Sequence, residues 1–472
     1  MPPELEMAVP AALRDDGAAL LDVGRRVVAV AEGMGGDIEA YVEHSLTTTI
    51  KVYEGKPESI VVAEPRGLGV RFIREGRLGY AYTSDLSEGG IGAAVDAAVA
   101  ASTAAGTDEY VQLAAPPQSP ASDLHNAYAL WSPELGELGI DDRTALAVAA
   151  ETGALADSAV RKVEKAVYTD ADRRVGIVSS RGIELWAASI YSLVYVYAHA
   201  ERGGEVRSGL AAVGGREGVD KLQPEAVGKE AAEHARRLLG AKPCSSGRYV
   251  VVLDREVTAA LISALAPAFS ADAVQKGRSV FAGKEGQCLA PSSFRLWDDG
   301  VHPLGPATFP FDDEGVVRSG RTAVVQEGRL SSFLYDSRTA AKAGVVSTGN
   351  AGRSSYRVAP MPGPTNLVVE AEGQGSLSDL VGRVGEGLYV CDVSGLHSGI
   401  NNISGEISVG ISGHLIRQGR LCEPVREVTI ATDVLSLLSG IVDAATDNRW
   451  DVVYGGVLSP SIAIEGVAVS GA

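Results

Sequence analysis

Residues 69–99 read GVRFIREGRLGYAYTSDLSEGGIGAAVDAAV, and this stretch sets both kinds of secondary structure side by side. Val70 and Phe72 alternate with Arg71 and Ile73 in the period of two that a strand presents. Glu75-Gly76 joins that run to the next as a hairpin. The period then changes. Ser87 supplies an N-cap, and Ile91, Ala94, Val95, Ala98 and Val99 follow the i, i+3, i+4, i+7 spacing of one helix face. Strands followed by a helix in one short segment predict an α+β fold.

Outward from this stretch the same pattern occurs twice. Residues 11–33 predict a helix carrying Leu13, Leu20, Leu21, Val27, Val28 and Val30, and period two runs from Ile38 to Thr83. A Pro/Ser-rich connector, 116–133, precedes a second pass of helix 141–157 and strands 160–169, 175–179, 183–200 and 206–213. Arg181-Gly182 and Gly203-Gly204 supply its turns. Helix 224–239 closes it, with Pro224 near the first turn and Gly240 after the last. These passes predict an N-terminal helix/β-meander domain over 1–243. From Arg248 a strand meets Asp254, the N-cap of helix 254–266, which turns Val257, Leu261, Ala264 and Leu265 inward and ends at Pro267. A strand-dominated C-terminal domain over 244–472 follows. The wordings REGRL (74–78), QEGRL (326–330) and RQGRL (417–421) predict shared hairpin chemistry.

The chain has 472 residues, 42 basic against 60 acidic, for a net charge of −18. That balance excludes nucleic acid and anionic membrane surfaces as expected partners. The 45% hydrophobic fraction excludes wholesale disorder. No apolar run approaches the ~20 residues of a membrane span. The N-terminus lacks a signal peptide's basic flank and apolar centre. The four cysteines, Cys244, Cys288, Cys391 and Cys422, form no C-x-x-C pair. A reducing cytoplasm is the expected compartment.

Standard catalytic signatures fail. Gly277 to Glu285 has the wrong spacing for a phosphate loop, and Gly395 to Gly399 places its serine one position late for a nucleophile elbow. His397, in that polar loop, is kept as a ligand-contact candidate. His234 lies beside the apolar stripe Val227, Ala231, Ala235 and Leu238, which predicts a packed structural role, and Glu233 sits ~100° away round the helix. His199 ends a strand and is expected to face solvent. Asp298-Asp299 and Asp312-Asp313-Glu314 are expected to mark turns.

Longer blocks carry more. SADAVQKGRSVFAGKEG (270–286), PFDDEGV (310–316), VVQEGRLSSFLYDSRTAAKAG (324–344), STGNAGRSSYRVAPMPGPTNL (347–367) and GEGLYV (385–390) resemble the TldD/PmbA family of metallopeptidase subunits. SSRGIELWAASIYSL (179–193), SPSIAIEGVAVSG (459–471) and the opening stretch resemble it too, in order along nearly the whole chain. The resemblance implies a two-domain α+β subunit of a heterodimer. The TldD-type subunit holds zinc on H-E-x-x-x-H with a cysteine near the C-terminus, whereas the TldE (PmbA) type has no metal site. Aligned on the shared A-D-A-V, the histidine positions fall on Ile262 and Pro267 and the glutamate on Ser263, and Val452 to Ser459 has no cysteine.

The implied reading is a metal-free TldE-like subunit with no catalytic residue of its own. A TldD-type partner supplies zinc and general base for small, unfolded or modified peptides. Candidate substrate contacts are Ser270, Asp272, Gln275, Arg278, Asn350, Arg353, Tyr356, Arg357 and His397. For 350–357 the alternative of a rigid Pro-bounded connector stands beside that role. A non-catalytic homodimeric scaffold that kept the fold is the competing function, with zinc-free hydrolysis by residues 312–314 behind it.

Overall fold

A computed structural model describes residues 11–117 and 130–471. The Leu13 side chain, His125 and most of the 116–133 connector lie outside the described residues. The chain opens with α1 (Ala11–Val30), β1 (Asp37–Tyr53), β2 (Lys56–Ala63), β3 (Arg66–Arg74), β4 (Arg77–Thr83) and α2 (Glu88–Ala104). The short α3 (Pro133–Gly136) leads to α4 (Ile140–Leu155), β5 (Val160–Ser179), β6 (Glu184–Arg202), β7 (Glu205–Gly215) and α5 (Pro224–Arg236). Both passes enter one antiparallel sheet of order β4-β3-β1-β5-β6-β7, with β2 also paired to β1. The join is the β1–β5 ladder, from Glu39 opposite Ser179 to Val52 opposite Ala166.

Side-chain alternation explains the layers. Ile38, Ala40 and Val42 of β1 pack with Leu68, Val70 and Phe72 in the core that also takes Val27 of α1 and Ile91, Val95 and Ala98 of α2. Further along the same face, Ile50 and Val52 join Tyr168, Val194 and Val196 against Ala150 of α4 and Val227 and Ala231 of α5. Tyr41 points the other way and meets Val175, Ile177, Phe309, Phe311 and Tyr356. Four helices therefore cover one face of the sheet, and part of the opposite face receives C-terminal residues.

Ser87 caps α2 as expected, its hydroxyl accepting from the Gly90 amide. The strand expected as two pieces, 160–169 and 175–179, is one 20-residue strand. Polar residues at 170–174 break the sequence pattern, but ion pairs absorb them: Asp170 with Arg143 and Asp172 with Arg174. The three similarly worded hairpins share a geometry. Glu75, Glu327 and Gln418 have φ of 54°, 48° and 51°, and the glycines after them are also left-handed. Two left-handed residues make the type I′ turn whose twist matches a hairpin.

The C-terminal segment runs β8 (Gly247–Leu253), α6 (Arg255–Leu265), α7 (Ala271–Gln275), β9 (Phe294–Asp298), β10 (Thr322–Gln326), β11 (Arg329–Leu330) and α8 (Ser337–Ala343). Then come β12 (Ala351–Gly352), β13 (Met361–Pro362), β14 (Leu367–Ala371), α9 (Leu377–Val384), β15 (Gly387–Ser394), α10 (Leu396–Gly399), β16 (Glu406–Arg417) and β17 (Arg420–Asp433). It ends with α11 (Val434–Ser439), β18 (Ile441–Ala444), β19 (Arg449–Asp451), β20 (Val457–Ser459) and β21 (Ile462–Ser470). One sheet orders β17-β16-β15-β8-β21-β18, and a further β17–β21 pairing closes five of its strands into a ring. A second sheet orders β11-β10-β9-β14-β20-β19. Val257, Leu261 and Leu265 of α6 pack with Val251, Ile407, Ile430 and Ile464 in the largest core. The fold is mixed α+β. Among the described residues no helix is long and apolar enough to cross a membrane.

Candidate functional site

The site-bearing helix α5 depends on two glycines. A Cβ on Gly209 of β7 would fall 2.2 Å from the Ala231 carbonyl oxygen, and one on Gly228 would fall 2.0 Å from that of Ala150. Only glycine lets backbones approach so closely, and it fixes α5 against β7 and α4. Asp254 then starts α6 by accepting from the Glu256 amide at 3.0 Å, and it also accepts a hydrogen bond from the Tyr389 hydroxyl.

Where the last turns of α5, the start of α6 and the β19–β20 connection meet, they enclose a cavity of about 270 Å³. His234, Arg237, Arg255, Glu256, Asp451 and Tyr454 are among its lining residues. One ligand atom from each of Glu230, His234 and Glu256 lies within 4.8 Å of the others. His234 Nδ1 is 2.8 Å from the Leu210 carbonyl oxygen, a bond that the nitrogen must donate. Burial, then Arg237, lowers the His234 pKa, which keeps the ring neutral. Glu256 is pushed up to about 7 by burial and by the nearby Asp254 and Glu230 carboxylates. Burial also pushes the Cys391 thiol up to about 12, so it lines the cavity without thiolate character. Asp451, raised to about 6 chiefly by burial, accepts the Tyr454 amide at 2.6 Å and shapes the connection.

His234 does bond to backbone and pack as expected, but it also faces two carboxylates. Glu230, four positions earlier on the same helix face, is the sequence signal for this grouping, whereas Glu233 lies off that face. His199 departs from its expected exposure: it is half-buried between Glu164 at 2.9 Å and Ser208 at 3.0 Å. Sheet pairing brings Ser208 alongside it.

The metal positions implied by the family resemblance lie further along α6. Ile262 is buried in the hydrocarbon core, the Ser263 hydroxyl donates to the Tyr454 carbonyl, and Pro267 sits in the single 3₁₀ turn that ends the helix. Zinc needs imidazole, thiolate or carboxylate donors. A hydrocarbon side chain, a committed hydroxyl and an imide ring do not fit it, nor does the thiol-free segment Val452 to Ser459. Glu256 and Ser263 are seven residues apart on α6, and both adjoin Tyr454, so the cavity and this face are continuous.

The candidate contacts fall into two groups. Ser270 donates to the Pro362 carbonyl at 2.9 Å, Gln275 to Thr339 at 2.7 Å, and Asp272 pairs with Lys276 and Arg338. Arg278 and His397 are exposed. Asn350 is buried and donates to Asp298 and Gly363. Arg353 is fully enclosed, donating to Glu39 at 2.8 Å and lying over the Tyr41 ring. Tyr356 is buried with its amide on Glu43, and exposed Arg357 lies over its ring. Asn350, Arg353 and Tyr356 turn inward and bond to Asp298, Glu39 and Glu43 of the same chain.

Residues 312–314 do more than mark a turn. Asp312 accepts from the Glu314 and Val316 amides, each at 2.9 Å, and burial with the Glu314 charge pushes it up to about 7. Glu314 is buried too, but Arg71 and the Ser337 amide hold its pKa down. Hydrolysis by this group has no open face to work on.

Three family models match the chain: PmbA/TldA metallopeptidase domain 1 over 38–102, the central domain over 133–239 and the C-terminal domain over 246–471. A "Metalloprotease" of Methanothermobacter thermautotrophicus is 26% identical, covering 91% of this chain and 93% of that protein. A "Metalloprotease PmbA homolog" of Haemophilus influenzae is 28% identical over 93% and 94%. The crystal structure of TldE from Thermococcus kodakarensis matches with a TM-score of 0.84 at 21% identity, covering 95% of this chain and 100% of that one.

Proposed function

The chain belongs to the PmbA/TldD metallopeptidase family, and from that premise we propose that it is the TldE-like subunit of a heterodimeric zinc peptidase. In this reading it brings no catalytic zinc and no catalytic residue. A TldD-type partner supplies the metal and the general base, and the pair cleaves small, unfolded or modified peptides in the cytoplasm. The observation that carries the reading is the chemistry of α6. The positions that hold zinc in the metal-bearing type carry Ile262, Ser263 and Pro267, and the facing segment has no cysteine. This chain's share is then to wall the substrate space and hold peptide. Arg278, Arg357 and His397 keep exposed side chains for contact.

Co-expression with a metal-bearing TldD-type homologue, followed by size-exclusion with mass detection, metal analysis and a peptide-cleavage assay, tests the proposal. A one-to-one complex whose cleavage is lost when the partner's zinc helix is altered supports it. Peptide hydrolysis by the isolated chain overturns it. A homodimer that ignores the partner moves the function to a scaffold.

A further inference from the structure

We propose that Glu230, His234 and Glu256 form a binding site for a zinc-type divalent cation that clasps α5, which lies on the N-terminal sheet, to α6 in the C-terminal segment. The donors come from elements far apart in sequence, yet their ligand atoms lie within 4.8 Å of one another. Glu230 and His234 share a helix face at i, i+4, the spacing at which two side chains meet one ion. His234 donates its Nδ1 proton to the Leu210 carbonyl, which leaves the Nε2 lone pair for a metal. Metal-ligating histidines are oriented by this kind of second bond.

The carboxylates are available. The ion-pair contacts of Arg449 and Arg255 with Glu230 both fall on Oε1. Among the described residues the Glu256 carboxylate accepts no hydrogen bond, and the basic-residue nitrogen within 4.0 Å of it is His234 Nδ1, at 3.9 Å. Metal–ligand bonds of roughly 2.0–2.2 Å place tetrahedral donors about 3.3–3.5 Å apart, so side-chain torsions must close a spacing of up to 4.8 Å and bring His234 Nε2, rather than Nδ1, toward Glu256. A water from the adjoining cavity can complete the shell. One imidazole with two carboxylates favours zinc-type ions over magnesium, which prefers oxygen alone. The site lies two helical turns from Ser263, and the inference does not depend on the subunit reading.

The test uses the full chain with the exposed thiols of Cys288 and Cys422 replaced by serine, stripped of metal and titrated with zinc. The proposal expects saturable binding of about one zinc per chain, a raised Tm and an X-ray absorption shell of nitrogen and oxygen with one imidazole. Glu256→Gln and His234→Gln are each expected to weaken binding roughly tenfold or more. Because His234 also holds Leu210, Glu256→Gln is the decisive variant should the other misfold. Unchanged binding in Glu256→Gln, sulfur in the shell, no saturable binding, or equal affinity for magnesium overturns the proposal.

Discussion

Charge bridges the N-terminal and C-terminal parts of the chain around Glu39 and again around the cavity, and these two bridges are built on opposite terms. At the first, buried Arg71 donates to Glu39 at 2.9 Å and Glu314 at 2.6 Å, and enclosed Arg353 donates to the same Glu39. Glu314 also accepts the Ser337 amide at 2.8 Å, and Asp313 accepts the Arg353 amide at 2.7 Å. Each buried charge there has a partner. At the second, around the cavity, both arginines crowd one oxygen of Glu230 while, among the described residues, Glu256 has no hydrogen-bond donor. A buried, paired network fixes one arrangement of the chain, and an unmatched carboxylate beside a cavity leaves room for a ligand.

Arg353→Ala should break the contrast most severely. It leaves buried Glu39 with less compensation and should cost about 3–5 kcal/mol in urea unfolding. A loss below about 1 kcal/mol would mean that the network is not closed. Asp312→Asn should cost about 1–3 kcal/mol, because an amide cannot accept from the Ala351 amide while keeping the Glu314 and Val316 bonds.

The same change of carboxylate to amide should act in the opposite sense at the cavity. The folded pKa of Glu256 is raised to about 7, so its charge costs stability above that pH and nothing below the unfolded value near 4.5. Metal-free Glu256→Gln should therefore be more stable than the parent at pH 8, by about 1–2 kcal/mol after allowance for its partial exposure. The gain should shrink steadily as pH falls from 8 to 5, read as Tm against pH. A gain that is constant with pH would remove the unmatched charge from the account. Smallest should be Arg181→Ala, which breaks an exposed pair with Asp37 and should shift stability by less than about 1 kcal/mol in the same assay.

Much of this architecture was legible locally. The Ser87 and Asp254 caps, the type I′ hairpins at Glu75, Glu327 and Gln418, and the end of α6 before Pro267 all rest on one or two neighbouring residues. The site was less legible. Glu230 and His234 lie one helical turn apart and were within reach, but Glu256 joins them only through packing between distant elements. The intrachain partners of Arg353 and Tyr356, Glu39 and Glu43, lie more than 300 positions away, beyond the reach of any local pattern.

The sequence by itself determined the α+β alternation, the turns, the family and the residues Ile262, Ser263 and Pro267 at the positions where the family resemblance implies metal donors, since periodicity, caps and residue chemistry are local properties. Tertiary structure alone decided that both passes share one sheet, that β5 runs unbroken through its charges, and which arginines are spent inside. It also decided that one histidine and two carboxylates converge on a cavity. Those facts depend on which distant residues become neighbours, and neighbours are chosen by the burial of whole faces rather than by any short stretch of chain.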